Sequence, residues 1–432
     1  MDPLNTSLDF DKNEHLRWER CYTTCDIPDN ISLYLSKPVP VSFLKKAIQE
    51  AEYLKKRIFG FSEGSLVAKI EPESWTDTLY LPISRGKVWP KNSIVIYCGE
   101  TVESWDDTSV KTGIGASELA VIFLSKIWEK KGYEVTVYCN CTKNGDTRFR
   151  HFSEFDSADS FDILIVWRLA EVFYHTKIDA RKCLLDVHDI VDPRQITTQV
   201  KSKVDFFCMK SKYHSEMISH ESPDKIFICF NGGATSPVLG IKKDPRYIIY
   251  TSSYDRGLAF MLKWGWGIIK KLVPNAYLKI FYGWNAFDAL RPNTEDTRLY
   301  KKTIQDLMKQ DGIIECGRIS HHDLLLEKQK AVIHWYTGDF QEIDCVSVRE
   351  SASVGCIPVV SDFVQVFREK PYCVTVQGNP RTKECQELAG KMVAELLLNQ
   401  NKHRSALEKL KTVETETWEN TALRWEELFK VV

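Results

Sequence analysis

The sequence predicts an α/β protein built as two Rossmann-like domains that face each other across a deep cleft. Three observations carry that prediction. The chain has 432 residues, which is long for one hydrophobic core and ordinary for two. Short apolar strands alternate with helices twice over, first from Ser93 and again from Tyr247, a pattern that makes parallel sheets. Near the end, Trp418, Ala422, Trp425 and Phe429 recur at helical spacing, so the last helix carries one core-facing apolar stripe.

Composition narrows the function classes. The formal net charge is -1, so neither nucleic acid nor an anionic membrane is the expected main partner. No apolar run reaches the length of a membrane span. The opening Met1-Asp2-Pro3-Leu4-Asn5 lacks the basic and apolar regions of a signal peptide. There are 13 cysteines, an odd number. The close pairs Cys21 with Cys25 and Cys139 with Cys141 lack the matching second half of a zinc ribbon. Free, mostly buried thiols in a reducing, cytoplasmic setting are expected, with the sequons at Asn5, Asn30 and Asn140 unused.

Residues 1–92 read as a poorly patterned extension, packed on the first domain, with one helix from about Ser42 to Phe59. Proline at 38, 40, 72, 82 and 90 punctuates the rest. Residues 93–240 form the first Rossmann-like domain. Its strands are expected near 94–98, 134–138, 162–167, 182–187, 206–209 and 225–229, with a helix over 116–131 that Gly132 ends. A hinge is placed near 233–246. Residues 241–414 form the second domain, with strands near 247–250, 277–282, 313–316, 331–335, 357–360 and 373–376 and a helix over 258–272. Residues 415–432 are the last helix, assigned back to the first domain. In such sheets ligands bind beyond the C-terminal strand ends.

The most informative segment runs from Glu342 to Ser361. Glu342 and Glu350 are separated by seven residues, and Gly355 and the apolar Ile357-Pro358-Val359-Val360 follow. Ser347 is expected to cap a helix starting near Val348, with Glu350 three residues on as in a capping box and Gly355 as the stop. The helix's first turn offers unpaired N–H groups and a positive dipole end to a diphosphate. Carboxylates beside it accept hydrogen bonds from sugar and ribose hydroxyls. The same spacing also fits a structural role, with Glu350 only closing the capping box and Glu342 solvated.

Several other segments bear on the same chemistry. Thr112-Gly113-Ile114-Gly115-Ala116-Ser117-Glu118 is a glycine loop opening a helix, suited to close approach of phosphate or simply to a tight turn. His188 stands at a strand end, where a neutral imidazole donates to a hydroxyl without adding charge, or pairs with Asp189. Arg256, before Gly257, bridges two phosphate oxygens, or pairs with Asp255 or Glu350. Arg318 stacks on a base or is a surface charge. Adjacent His321 and His322 point apart, so a metal site is not expected there.

Taken together, these segments resemble the retaining glycosyltransferases of family four, which have the GT-B fold, over about residues 93 to 432. The resemblance implies transfer of a hexose from a nucleoside-diphosphate sugar to a glycan or glycoconjugate, with no metal and no other cofactor. It assigns His188 and Glu342 to the transferred sugar, Arg256 with Gly113 and Gly115 to the diphosphate, and Glu350 to the ribose. Gly317, Arg318 and Ile319 fall in the base-holding loop, and Asp344, Cys345 and Val346 at the helix entrance. Many relatives carry a second arginine where this chain has Ser252 and Ser253. GDP-mannose stands slightly ahead of UDP-glucose as donor. A monomer or homodimer is expected, and a virus-encoded origin is compatible with the resemblance. The rival readings are another GT-B reaction type, such as an epimerase or a phosphorylase, and a decayed transferase that only binds nucleotide sugars or glycans.

Overall fold

The computed structural model describes residues 31–430 apart from 36–38, 40, 55, 63–64, 73–77, 83–85, 142–145, 176–177, 221, 234–240, 364 and 414–415. Half of the expected hinge, residues 234–240, therefore lies outside the described residues, as do Cys21, Cys25 and the sequons at Asn5 and Asn30.

The extension is better ordered than its pattern implies. Strands β1 (Ile31–Leu35), β2 (Arg57–Ser62), β3 (Ser65–Pro72) and β4 (Thr78–Pro82) form a sheet in the order β1-β3-β2-β4. The helix Val41–Leu54 packs on it around Leu44, Ala47, Ile48 and Ala51. The helix stops before Phe59, against expectation. Ile58 and Gly60 are buried, at strand spacing, so the apolar residues after Leu54 follow a period of two and continue as β2. The Lys45 ammonium lies 5.0 Å from the Phe152 ring centroid, touching the first domain.

The first large sheet holds β5 (Ser93–Tyr97), β6 (Glu134–Cys139), β7 (Phe149–His151), β8 (Ser160–Trp167), β9 (Asp179–Asp186), β10 (Phe206–Met209) and β11 (Ile226–Ile228) in the order β11-β10-β9-β8-β5-β6-β7. The second holds β12 (Tyr247–Tyr250), β13 (Tyr277–Phe281), β14 (Ile313–Gly317), β15 (Ile333–Tyr336), β16 (Ile357–Ser361) and β17 (Val374–Val376) in the order β14-β13-β12-β15-β16-β17. The neighbours in both sheets are parallel. Helices cover both faces of such sheets, so the strands read as unbroken apolar runs: every residue of β5, β12 and β16 is buried.

Each sheet reverses its strand order once, between β5 and β8 in the first and between β12 and β15 in the second. Loops at such a switch point part to either side and leave a crevice. The two crevices face one another, and together they make the cleft.

The last helix, Trp418–Lys430, crosses back to the first domain as expected. Trp418, Ala422, Trp425 and Phe429 are buried in the first core with Trp128. The ring centroids of Trp425 and Phe429 lie 5.9 and 5.5 Å from that of Trp128, distances at which aromatic pairs attract. All eleven described cysteines are free, and all but Cys316 and Cys345 are buried. Among the described residues no helix is long and apolar enough to cross a membrane.

Candidate functional site

The cleft encloses about 540 Å³. Of the residues expected at a site, Gly115, His188, Arg256, Arg318, Glu342, Asp344, Cys345 and Val346 line it. The others stand just behind. Gly113 has φ +91°, and a Cβ there would sit 2.4 Å from the Ile319 carbonyl oxygen, so only glycine lets the first domain's loop meet the 317–319 loop of the second. Gly317 is left-handed too, with φ +66°. Arg318 is held within the protein: its guanidinium lies 5.3 Å from the Tyr282 ring centroid and donates to Glu103 across the cleft at 2.5 Å and to the Tyr282 carbonyl at 3.1 Å.

The helix behind Glu342 spans Val346–Ser353, and its N-cap is Cys345 with no side-chain capping bond. The expected capping box is therefore absent. Ser347 lies one residue inside the helix and turns its hydroxyl to the Thr251 carbonyl at 3.2 Å, while Lys328 donates to it at 3.2 Å. The C-terminal stop is as expected. Gly355 has φ +76°, and the Cys356 N–H reaches the Ser351 carbonyl at 2.8 Å, the closing bond of a Schellman motif. Since no side chain caps the N-terminus, its first N–H groups and the positive end of the helix dipole remain available where the helix meets the cleft. A second uncapped N-terminus, at Gly115 before the helix Ala116–Lys130, lines the opposite wall.

Glu350 is tied into the protein. One carboxylate oxygen pairs with His321 Nε2 at 2.7 Å and the other with Lys328 Nζ at 2.7 Å, all three groups largely buried. His321 is thus the partner of a carboxylate, and among the described residues no group of three or more His, Cys, Asp or Glu is placed to hold a metal ion. Burial raises the Glu350 carboxyl, and Lys328 and His321 outweigh it, bringing the carboxyl down to about 2 from 4.5. Asp186 follows the same pattern: burial raises it, and His188 and Lys210 bring it down to about 2 from 3.8. A depressed carboxylate stabilises the fold above its unfolded value and loses that contribution as pH falls through its folded value. The melting temperature should therefore drop steeply as pH falls from 4.5 toward 2, and Lys328→Met should remove part of that drop. A scan that stays level across this window in the unaltered protein would show that these pairs do not stabilise it.

His188 Nε2 lies 2.9 Å from Asp186 Oδ2, not Asp189. A carboxylate only accepts, so this contact keeps the imidazole proton on Nε2 and leaves Nδ1 as an acceptor. Burial, helped by Lys210 and Arg168, lowers the His188 pKa despite the opposing Asp186, so the ring is neutral at pH 7. His188 lines the cleft, and its remaining nitrogen is an acceptor where a donor was expected.

Arg256 finds its partner in Glu342, at 2.7 Å, and not in Asp255 or Glu350. Tyr336 OH also donates to Glu342, at 2.6 Å, and the guanidinium lies 4.0 Å from the Phe340 ring centroid. Gly257 places Arg256 there. It has φ +85°, and a Cβ would come within 2.8 Å of the Asp339 nitrogen. The Asp344 carboxylate is committed elsewhere, to Arg349 and to the Asn231 N–H at 2.8 Å.

Glu100, Glu103 and Arg168 are charged groups of the cleft that were not anticipated, and Arg168 is the cation among them. Arg168 follows β8 directly and lines the first-domain wall. The available signal was a charged residue immediately after the apolar run Ile163-Leu164-Ile165-Val166-Trp167, at the C-terminal strand end where ligands of open α/β sheets gather.

No protein-family model and no curated protein matches the chain. Solved structures do. Sucrose-phosphate synthase from Thermosynechococcus elongatus is 11% identical, over 78% of this chain and 98% of its own, with a TM-score of 0.58. A glycosyltransferase from Rickettsia africae is 12% identical, over 79% and 98%, with a TM-score of 0.54. The Anabaena protein HepE, in complex with UDP and glucose, is 8% identical, over 78% and 98%, with a TM-score of 0.53. At these identities the likeness concerns architecture: the chain has the GT-B fold, two Rossmann-like domains facing across a cleft.

Proposed function

We propose that the protein is a retaining glycosyltransferase that moves a hexose from a nucleoside-diphosphate sugar to a glycan or glycoconjugate. The observation that carries this reading is the uncapped N-terminus at Cys345 and Val346, opening into the cleft beside the Arg256–Glu342 pair. A diphosphate there meets helix N–H groups and a guanidinium, and both stabilise the charge that develops on the leaving group. Residues 241–414 would bind the donor, and residues 93–240 with 415–432 the acceptor.

In this reading Arg256 turns from Glu342 to the diphosphate, and the freed Glu342 carboxylate accepts hydrogen bonds from the sugar. His188 Nδ1 accepts from another sugar hydroxyl. The backbone at Gly113 and Gly115 approaches the diphosphate from the facing wall, and the 317–319 loop holds the base. Glu350 reaches the ribose only if His321 or Lys328 yields. The acceptor oxygen attacks C1 from the face the phosphate leaves. The C1–O bond to phosphate breaks as the new glycosidic bond forms, and a phosphate oxygen takes the acceptor's proton. No protein nucleophile is required. HepE's complex with UDP and glucose puts UDP sugars beside GDP-mannose as the first donors to try.

Calorimetric titration with a panel of nucleotide sugars tests the reading, and an assay of transfer or donor hydrolysis completes it. Binding should survive EDTA, because Arg256 and the helix ends already supply positive charge to the diphosphate. Binding that strictly requires magnesium or manganese would sink the proposed charge balance. A nucleotide-sugar-binding protein on the same scaffold is the second reading, favoured by the Arg256–Glu342 pair that occupies both groups. Tight binding without transfer or hydrolysis would select it.

A further inference from the structure

The proposed donor site leaves one charged cluster unused, on the first-domain wall. Arg168 sits at the β5–β8 switch point. Its backbone is left-handed, with φ +68°, a conformation that residues with side chains rarely adopt and that functional sites hold under constraint. The guanidinium lies 4.2 Å from the Trp167 ring centroid. Nη2 donates to Ser117 Oγ at 3.0 Å and Nη1 to Glu118 Oε1 at 3.4 Å. Nε lies 3.0 Å from Asp189 Oδ2 yet makes no hydrogen bond, so a buried N–H is left unused. Asp189 is pinned through its backbone, whose carbonyl is 3.0 Å from His214 Nε2, while its side chain is 65% exposed.

The charge on this wall decides what it can take. Glu100, Glu103, Glu118 and Asp189 line it against Arg168 alone. Arg318 of the facing domain pairs with Glu103, so a phosphate beside Asp189 would face Glu100, Glu118 and Asp189 with one guanidinium already shared between two of them, and like charges brought together at an interface repel. Adjacent hydroxyls fit instead: the Asp189 carboxylate accepts from one, and the part-exposed Arg168 guanidinium, which keeps a second N–H on each Nη beyond those given to Ser117 and Glu118, donates to its neighbour.

We propose that Arg168 and Asp189 clamp vicinal hydroxyls of an uncharged sugar, so that the acceptor is a neutral glycan and not a sugar phosphate. The proposal rests on the transferase reading. The full-length protein, with UDP or GDP present as calorimetry selects, is titrated with glucose, galactose, mannose and xylose and with the 6-phosphates of the three hexoses. Binding is read by saturation-transfer NMR. Neutral sugars should bind at least about tenfold more tightly than their phosphates, one good hydrogen bond and a repulsion apart. Asp189→Asn, at an exposed carboxylate, should weaken the neutral sugars about tenfold and narrow the gap to the phosphates, with nucleotide affinity unchanged. Arg168→Gly, which relieves the left-handed backbone, should abolish acceptor binding while nucleotide still binds. Tighter binding of the phosphates, binding of none of these sugars, or acceptor affinities unmoved by both substitutions would overturn the clamp and leave the transferase reading standing. Absence of nucleotide binding in the unaltered protein would instead remove the transferase reading, and the clamp with it.

Discussion

Replacing Arg349 with methionine should lower the unfolding free energy by about 3–5 kcal/mol, the cost of stranding a buried charge. Arg349 is fully buried and holds both oxygens of Asp344 together with Glu416. Burial raises the Asp344 carboxyl, and Arg349 and Lys370 outweigh it. Methionine fills much of the volume but leaves Asp344 with only the Asn231 N–H and Lys370, 3.9 Å away. Urea denaturation of the variant gives the loss directly. The double substitution Arg349→Met with Asp344→Asn should recover much of it, because the stranded charge is then gone. A single-variant loss below about 1 kcal/mol would mean that the knot is no more than a surface ion pair in energy.

Arg256→Ala should weaken nucleotide-sugar binding by about 1.5–3 kcal/mol, a charge-assisted contact to diphosphate, which is roughly ten- to hundredfold in Kd. The resting pair with Glu342 sharpens the test. Diphosphate must compete with Glu342 for the guanidinium, so Glu342→Gln should leave free nucleoside diphosphate bound as tightly as before, or more tightly. The same substitution should weaken the nucleotide sugar, which loses its hydroxyl acceptor. Calorimetry on both variants with both ligands separates the roles. Equal losses for the two ligands in Glu342→Gln would remove the sugar contact. An unchanged Kd in a folded Arg256→Ala protein would take Arg256 out of the site.

The alternation of elements was legible because it follows from local pattern. Parallel strands buried on both faces are largely apolar, and β5, β12 and β16 carry no polar residue beyond a terminal serine. The stripe Trp418, Ala422, Trp425 and Phe429 gave away a buried face in the same way. The four-stranded sheet before β5 was not legible. Pro72 and Pro82 close β3 and β4, and Ile58, already in β2, falls where it would extend the apolar face of the preceding helix. At the site, eight of the expected residues line one cleft, but sequence spacing misassigned their partners. Ser347 and Glu350 have capping-box spacing, yet Lys328 and His321, more than twenty residues upstream, claim the carboxylate. His188 pairs two residues back with Asp186 and not with its neighbour. Partners fixed by tertiary contact leave no trace in local spacing, and Arg168 was overlooked because its meaning comes from the order of strands in the sheet.

The crossing of the last helix has a consequence for synthesis on the ribosome. Trp128 and the apolar face around it are complete once residues 93–228 have emerged, but their cover, Trp418–Lys430, is made some 290 residues after Trp128. From residue 228 to residue 430 is about 200 residues, so at roughly 5–20 residues per second the nascent domain waits on the order of 10–40 s with that face bare. During this interval the chain needs a chaperone or a temporary partner, and slowing translation within the second domain should increase aggregation more than slowing it within the first.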